Sequence, residues 1–127
     1  MILIFGGAYN GKLTYAANEY GITADEVFDL ANGGELKDAA PFRCIRHLES
    51  LTRRAAENGT DAEAILAELS ALKGGVIMIS REIGSGVVPL EKSERVWREL
   101  HGAVLNELAR RAERVVRVFY GLGETIK

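Results

Sequence analysis

The chain opens on five apolar residues, Met1-Ile2-Leu3-Ile4-Phe5, breaks at Gly6-Gly7, and resumes as a helix-compatible stretch from Leu13 to Tyr20. Strand, glycine-rich turn and helix are predicted in that order. Val76-Ile77-Met78-Ile79 is a second unbroken apolar run, and its lack of alternation fits a strand buried on both faces at the centre of a parallel sheet. Val27-Phe28-Asp29 and Phe42-Arg43-Cys44-Ile45, the latter behind Pro41, predict two shorter strands, and Val115 to Tyr120 predicts the last. Helical spacing of apolar positions marks Leu48 to Asn58, which stops at Gly59. It recurs in Ala64, Ile65, Leu66, Leu69 and Leu72, capped by Thr60 or Asp61, and in Val96, Leu100, Val104, Leu105 and Leu108 of a long helix from about Glu91 to Arg114. Strands separated by helices predict parallel pairing with right-handed crossovers, hence an α/β three-layer sandwich around a mainly parallel sheet.

With 127 residues, 47% of them apolar and 27% charged, the chain has the size and composition of one globular domain, 1–127, with its own core. A net charge of −2 argues against nucleic acid as the main partner, which calls for a basic excess on one face. Arg110, Arg111, Arg114 and Arg117 are interleaved with Glu107 and Glu113, the pattern of a solvated helix face. Cys44 is the single cysteine, so no intrachain disulfide or Cys-rich metal site forms, as suits a reducing cytoplasm. The N-terminal apolar run is too short for a signal peptide or a spanning helix, and a soluble, cytoplasmic protein without membrane contact is expected.

Gly6-Gly7-Ala8-Tyr9-Asn10-Gly11-Lys12 is the candidate phosphate loop. Such a loop turns several backbone N–H groups toward one point, the following helix start adds partial positive charge, and Lys12 supplies a full one. The spacing Gly6-x-x-x-x-Gly11-Lys12 fits the Walker A pattern, in which the next residue is Ser or Thr to hold magnesium; here it is Leu13. Thr14 is no substitute, because one helical step turns a side chain by roughly 100°. Lys12 is the leading candidate for neutralising charge that develops in phosphoryl transfer. Glu82, just past a buried strand, is placed to bind magnesium directly, hold it through water, or accept a proton from a substrate hydroxyl; a plain exposed loop glutamate is the alternative. Asp29 has a similar position after a shorter strand, and His47, behind a strand end, has a route into the same crevice. His101 sits mid-helix, Trp97 and Tyr120 read as core or interface aromatics, and no Ser/His/Asp arrangement is readable. In parallel sheets ligands bind at the carboxyl ends of strands, where three glycine-bearing loops fall: 6–12, 80–89, and Gly121-Leu122-Gly123.

Ile79-Ser80-Arg81-Glu82-Ile83-Gly84-Ser85-Gly86-Val87-Val88-Pro89 resembles the Glu-Val-Gly-x-Gly-Ile-Val-Pro segment of the adenosylcobinamide kinase/adenosylcobinamide-phosphate guanylyltransferase family. Gly6-Gly7-Ala8-x-x-Gly11-Lys12 resembles that family's phosphate loop, Gly121-Leu122-Gly123-Glu124-Thr125-Ile126-Lys127 is similar to its closing Gly-x-Gly-x-x-Ile-Lys, and Arg46-His47-Leu48-Glu49 is a shorter internal match. The resemblance implies a P-loop, RecA-like nucleotide-binding fold, ATP or GTP with Mg2+ as cofactors, and often a homo-oligomer. It implies that Gly6, Gly7, Ala8, Tyr9, Asn10, Gly11, Lys12 and Leu13 bind the nucleotide, with Lys12 and Glu82 catalytic and Glu82 on the metal. The implied reaction moves the γ-phosphoryl group to the aminopropanol hydroxyl of adenosylcobinamide.

The chain lacks material between its first helix and Arg46-His47-Leu48, where the family carries its nucleotidyl-accepting histidine in an Arg-Ile-x-x-His pattern, and His47 aligns with a different segment. A reduced, kinase-like form without the guanylyltransferase step is therefore expected. The alternative is a non-catalytic nucleotide-binding paralogue acting as a sensor or partner protein, motivated by Leu13. A corrinoid-binding module has no Asp-x-His motif to support it.

Overall fold

A computed structural model describes residues 1–83 and 91–127. Gly84, Ser85, Gly86, Val87, Val88 and Pro89 of the Glu82 loop lie outside them. Among the described residues six strands, β1 (Ile2–Gly6), β2 (Val27–Asp29), β3 (Cys44–Arg46), β4 (Ile77–Arg81), β5 (Arg114–Phe119) and β6 (Leu122–Thr125), lie side by side in the order β2-β3-β4-β1-β5-β6. The pairs β1·β4, β1·β5, β2·β3 and β3·β4 are parallel. The two unbroken apolar runs are neighbours at the centre, with Leu3 opposite Met78 and Ile4 opposite Ile79.

Alternation along the strands divides the core into two layers. Leu3, Ile45, Met78 and Val115 meet Leu48 and Ala55 of α2 (Leu48–Glu57), Ile65 and Leu69 of α3 (Ala62–Ser70), and Val104 and Leu108 of α4 (Lys92–Arg111). On the other face Ile4, Ile77, Ile79, Val116 and Val118 meet Ala16 of α1 (Lys12–Tyr20). Helices therefore cover both faces, as the pattern predicts. Asp61 caps α3, its Oδ1 accepting the Ala64 N–H at 3.0 Å. Among the described residues no helix is long and apolar enough to cross a membrane.

Two expectations are corrected. The long helix ends at Arg111, so Arg114 and Arg117 belong to β5 and only Arg110 and Arg111 join Glu107 on the solvated helix face. And Val115 to Tyr120 does not close the sheet: Tyr120 and Gly121, at φ 51° and 77°, make a two-residue turn into β6, which returns antiparallel with Phe119 opposite Leu122. β6 is exposed throughout, so burial writes no alternation into its sequence.

At the junction of β4, α2 and α4 sits a buried polar network. His101 is 1% exposed, with Nδ1 2.8 Å from Thr52 Oγ1 and Nε2 3.1 Å from both Ser80 Oγ and the Arg81 carbonyl. A carbonyl only accepts, so Nε2 carries the hydrogen, and in the neutral ring Nδ1 accepts from the Thr52 hydroxyl, which also lies 3.1 Å from the Glu49 carbonyl. Burial lowers the His101 pKa below its ordinary 6.5, against the opposing pull of the Arg81 carbonyl and Glu49. A folded-state pKa lowered in this way means stability that is complete above 6.5 and is lost as pH falls toward the folded value. Melting temperatures measured between about pH 7.5 and 5.5 should therefore drop more for the native chain than for His101→Gln, which has no proton to gain; equal drops contradict a neutral buried His101.

Candidate functional site

β1 delivers the chain to the carboxyl edge of the sheet, and the loop after it is shaped by steric demands that only some residues meet. A Cβ on Gly6 would lie 2.4 Å from the Val118 carbonyl oxygen, so β1 and β5 approach there more closely than any side chain permits. Gly11 stands at φ 80°, ψ 28° and starts α1 without a capping side chain. The first amides of α1 are thus left without intrahelical or side-chain-cap partners, a standing invitation to an anion. Gly121 donates its N–H to the Asn10 carbonyl at 2.8 Å, which ties the β5–β6 turn to the loop. Lys12 Nζ donates to the Gly7 carbonyl at 2.7 Å, folded back across its own loop.

The loop forms one wall of a cavity of about 610 Å³. Ala8 through Thr14 line it from one side; Arg46, His47 and Glu49 from the β3–α2 junction, Arg53 of α2, Arg81 of β4 and Trp97 of α4 line the other. Lys12, Arg46, Arg53 and Arg81 line the cavity beside a single carboxylate, Glu49, a positive balance that suits an anion even with Arg53 paired to Glu94. Burial lowers the Lys12 pKa, Glu49 draws it back up, and Arg81 and Arg46 push it down. Arg46 carries a buried Nε with no hydrogen-bond partner among the described residues.

Glu49 is 6% exposed; its Oε1 accepts the Arg81 N–H at 2.8 Å and its carbonyl accepts Trp97 Nε1–H at 3.1 Å. The Trp97 Nε1–H is also 3.1 Å from Thr52 Oγ1, and the Arg53 guanidinium lies 4.5 Å from the indole centroid while pairing with Glu94. These bonds fix the wall before any ligand arrives. His47 bonds Asp29 through Nδ1 at 2.6 Å.

Of the residues expected from sequence, Ala8, Tyr9, Asn10, Gly11, Lys12 and Leu13 line the cavity, whereas Gly6 and Gly7 shape the loop from behind. Glu82 is not on the wall. Its carboxylate is 3.5 Å from Arg117 on β5 and its N–H donates to the Gly6 carbonyl at 2.8 Å, so it braces the loop's base. Strand parity is the reason: Arg81 turns into the cavity, and the next residue turns to the opposite face. The acid that does face Lys12 is Glu49, together with Arg46 and Arg53 a residue to which sequence reasoning gave no role. A polar cluster immediately behind a strand end was the available signal.

The donor set for Mg2+ is thin. Leu13 offers no oxygen and packs toward the core beside Ala16, and the described residues contain no group of three His, Cys, Asp or Glu able to hold a metal ion. These residues do not build a cage, so any Mg2+ would be held chiefly by phosphate oxygens and water.

A family model described as cobinamide kinase / cobinamide phosphate guanyltransferase matches residues 44–126, from β3 through the last strand, a range that does not include the candidate phosphate loop at 6–12. The chain is similar to the bifunctional adenosylcobalamin biosynthesis protein CobP of Pseudomonas aeruginosa, 37% identical over 67 residues, which are 53% of this chain and 39% of that protein. The matched part therefore spans about two fifths of the curated relative's length. With a match over well more than half of its residues, the chain belongs to the cobinamide kinase / cobinamide phosphate guanyltransferase family.

Proposed function

We propose that the chain binds ATP or GTP, carrying Mg2+ on its phosphates, in the loop Gly6–Leu13 and transfers the γ-phosphoryl group to the aminopropanol hydroxyl of adenosylcobinamide. The observation that carries this reading is Lys12 at the head of an uncapped helix, in a cavity that also holds Arg46, Arg53 and Arg81. On binding, Lys12 Nζ exchanges the Gly7 carbonyl for phosphate oxygens, and the loop amides hold the bridging region. Charge spreads over the equatorial oxygens in the transition state, and preplaced cations stabilise it without reorganising.

The kinase step alone is proposed, because the Arg-Ile-x-x-His segment is missing. Assembly of several copies and a cytoplasmic location go with the same reading. Incubation with adenosylcobinamide and γ-labelled ATP or GTP should place label on the corrinoid; unlabelled corrinoid with both nucleotides contradicts the proposal.

Leu13 favours a second reading, nucleotide binding without transfer by a sensor or partner protein, since it removes the usual metal-holding hydroxyl. Tight binding of triphosphate with no transfer selects it.

A further inference from the structure

His47 starts α2 at φ 63°, ψ 47°, a left-handed conformation that side chains with a Cβ rarely adopt, and its side chain makes no helix-capping hydrogen bond that would account for it. What the conformation does achieve is a bond across the sheet edge: Nδ1 lies 2.6 Å from Asp29 Oδ1. Asp29 is itself held, its Oδ1 accepting the Ala31 N–H at 2.9 Å. Burial raises the Asp29 pKa, but the hydrogen bonds from His47 and Ala31 and the charges of His47 and Arg46 bring it to a net value below the usual carboxylate range. An ionised carboxylate only accepts, so the hydrogen of a neutral His47 ring sits on Nδ1 and the lone pair sits on Nε2. His47 lines the same cavity as Lys12. The other nitrogen bases on that wall are lysine and arginines, held as cations for phosphate, and Glu49 has one oxygen engaged by the Arg81 amide.

We propose that His47 is the general base of the phosphoryl transfer, taking the acceptor's hydroxyl proton on Nε2, with Asp29 as the positioning residue that holds its ring and tautomer. This rests on the kinase reading above. In the step, the hydroxyl oxygen forms a bond to the γ-phosphorus. The bond from that phosphorus to the bridging oxygen breaks, and its electron pair leaves on the nucleoside diphosphate. The hydroxyl proton passes to His47 Nε2 and afterwards to water. Acceptor specificity follows: the base serves a neutral hydroxyl, which must lose its proton, better than an already ionised phosphate or carboxylate.

The test uses the full chain as wild type, His47→Asn, whose side chain tolerates the left-handed backbone, and Asp29→Asn. Loss of a general base is expected to lower kcat by about a hundredfold or more in His47→Asn, with nucleotide KM within about threefold of wild type. Asp29→Asn is expected to lower kcat by about tenfold or more and to change the His47 ring 15N shifts, which in the wild type report hydrogen on Nδ1. Wild-type transfer with His47→Asn at an unchanged kcat, or a wild-type ring with its hydrogen on Nε2, overturns this proposal alone. A wild-type chain that transfers nothing overturns the kinase reading and this one with it.

Discussion

On the proposed kinase reading, Lys12→Ala is expected to lower phosphoryl transfer by about a thousandfold, the scale on which preplaced donors and cations act on transferring phosphoryl groups. Lys12 is the one full charge on the phosphate loop, and it stands on the first residue of α1, where the helix start already favours an anion. In the free protein its ammonium rests on the Gly7 carbonyl at 2.7 Å. That bond is a local one, part-buried and between residues five apart, so its loss costs stability only about 1 kcal/mol. Removing the cation also relieves its burial and its repulsion by Arg81 and Arg46 while giving up its attraction to Glu49. The variant should therefore fold and melt close to the native chain while failing in the transfer assay. A large fall in melting temperature would instead mean that Lys12 holds the loop together, and retained transfer would remove it from the chemistry.

Trp97→Ala should destabilise the fold by about 3–5 kcal/mol, the range for deleting a large buried aromatic ring. The ring is 7% exposed at the start of α4, and its Nε1–H is shared between the Glu49 carbonyl and Thr52 Oγ1 of α2. It thus joins the two helices that flank the cavity and supports the network in which His101 bridges Thr52 and Ser80. Arg53, stacked on the ring, loses its platform as well. Urea unfolding of Trp97→Ala and Trp97→Phe separates the contributions. The phenyl ring keeps most of the packing and forfeits the indole hydrogen bonds, so its cost should be nearer 1–2 kcal/mol. Equal stability of native and alanine chains would contradict the packing described for this junction.

The parts of the fold legible in the sequence are those where burial is two-sided or periodic. Val76 to Ile79 reads as a central strand because both faces are covered, and it pairs with β1 at the middle of the sheet. Helices α2, α3 and α4 read from apolar spacing, with Asp61 and Gly59 marking ends. β6 did not, because nothing buries it. For the site, the glycine spacing of residues 6–12 carries its own geometric signature, since a close backbone approach at Gly6 and a left-handed turn at Gly11 leave little choice of residue. The opposite wall has no such signature. Glu49, Arg53 and Trp97 meet Lys12 only through the packing of α2 and α4 on the sheet, contacts distant in sequence that no local pattern records. Glu82 looked better placed than Glu49 because a residue's position after a strand is visible in a sequence, whereas the face to which it turns depends on where the strand's last residue lies. Tyr120, read as a core or interface aromatic, is not in the core: it stands exposed in the β5–β6 turn against Phe119, with ring centroids 4.6 Å apart.

Calorimetric titration of the native chain and of Lys12→Ala with ATP and with GTP tests the central claim most directly. The account predicts saturable binding of at least one triphosphate to the native chain and a loss of affinity of about a hundredfold in the variant, as expected when a part-buried charge-assisted phosphate contact is removed. No binding of either nucleotide, or equal affinity with and without the Lys12 ammonium, would contradict it.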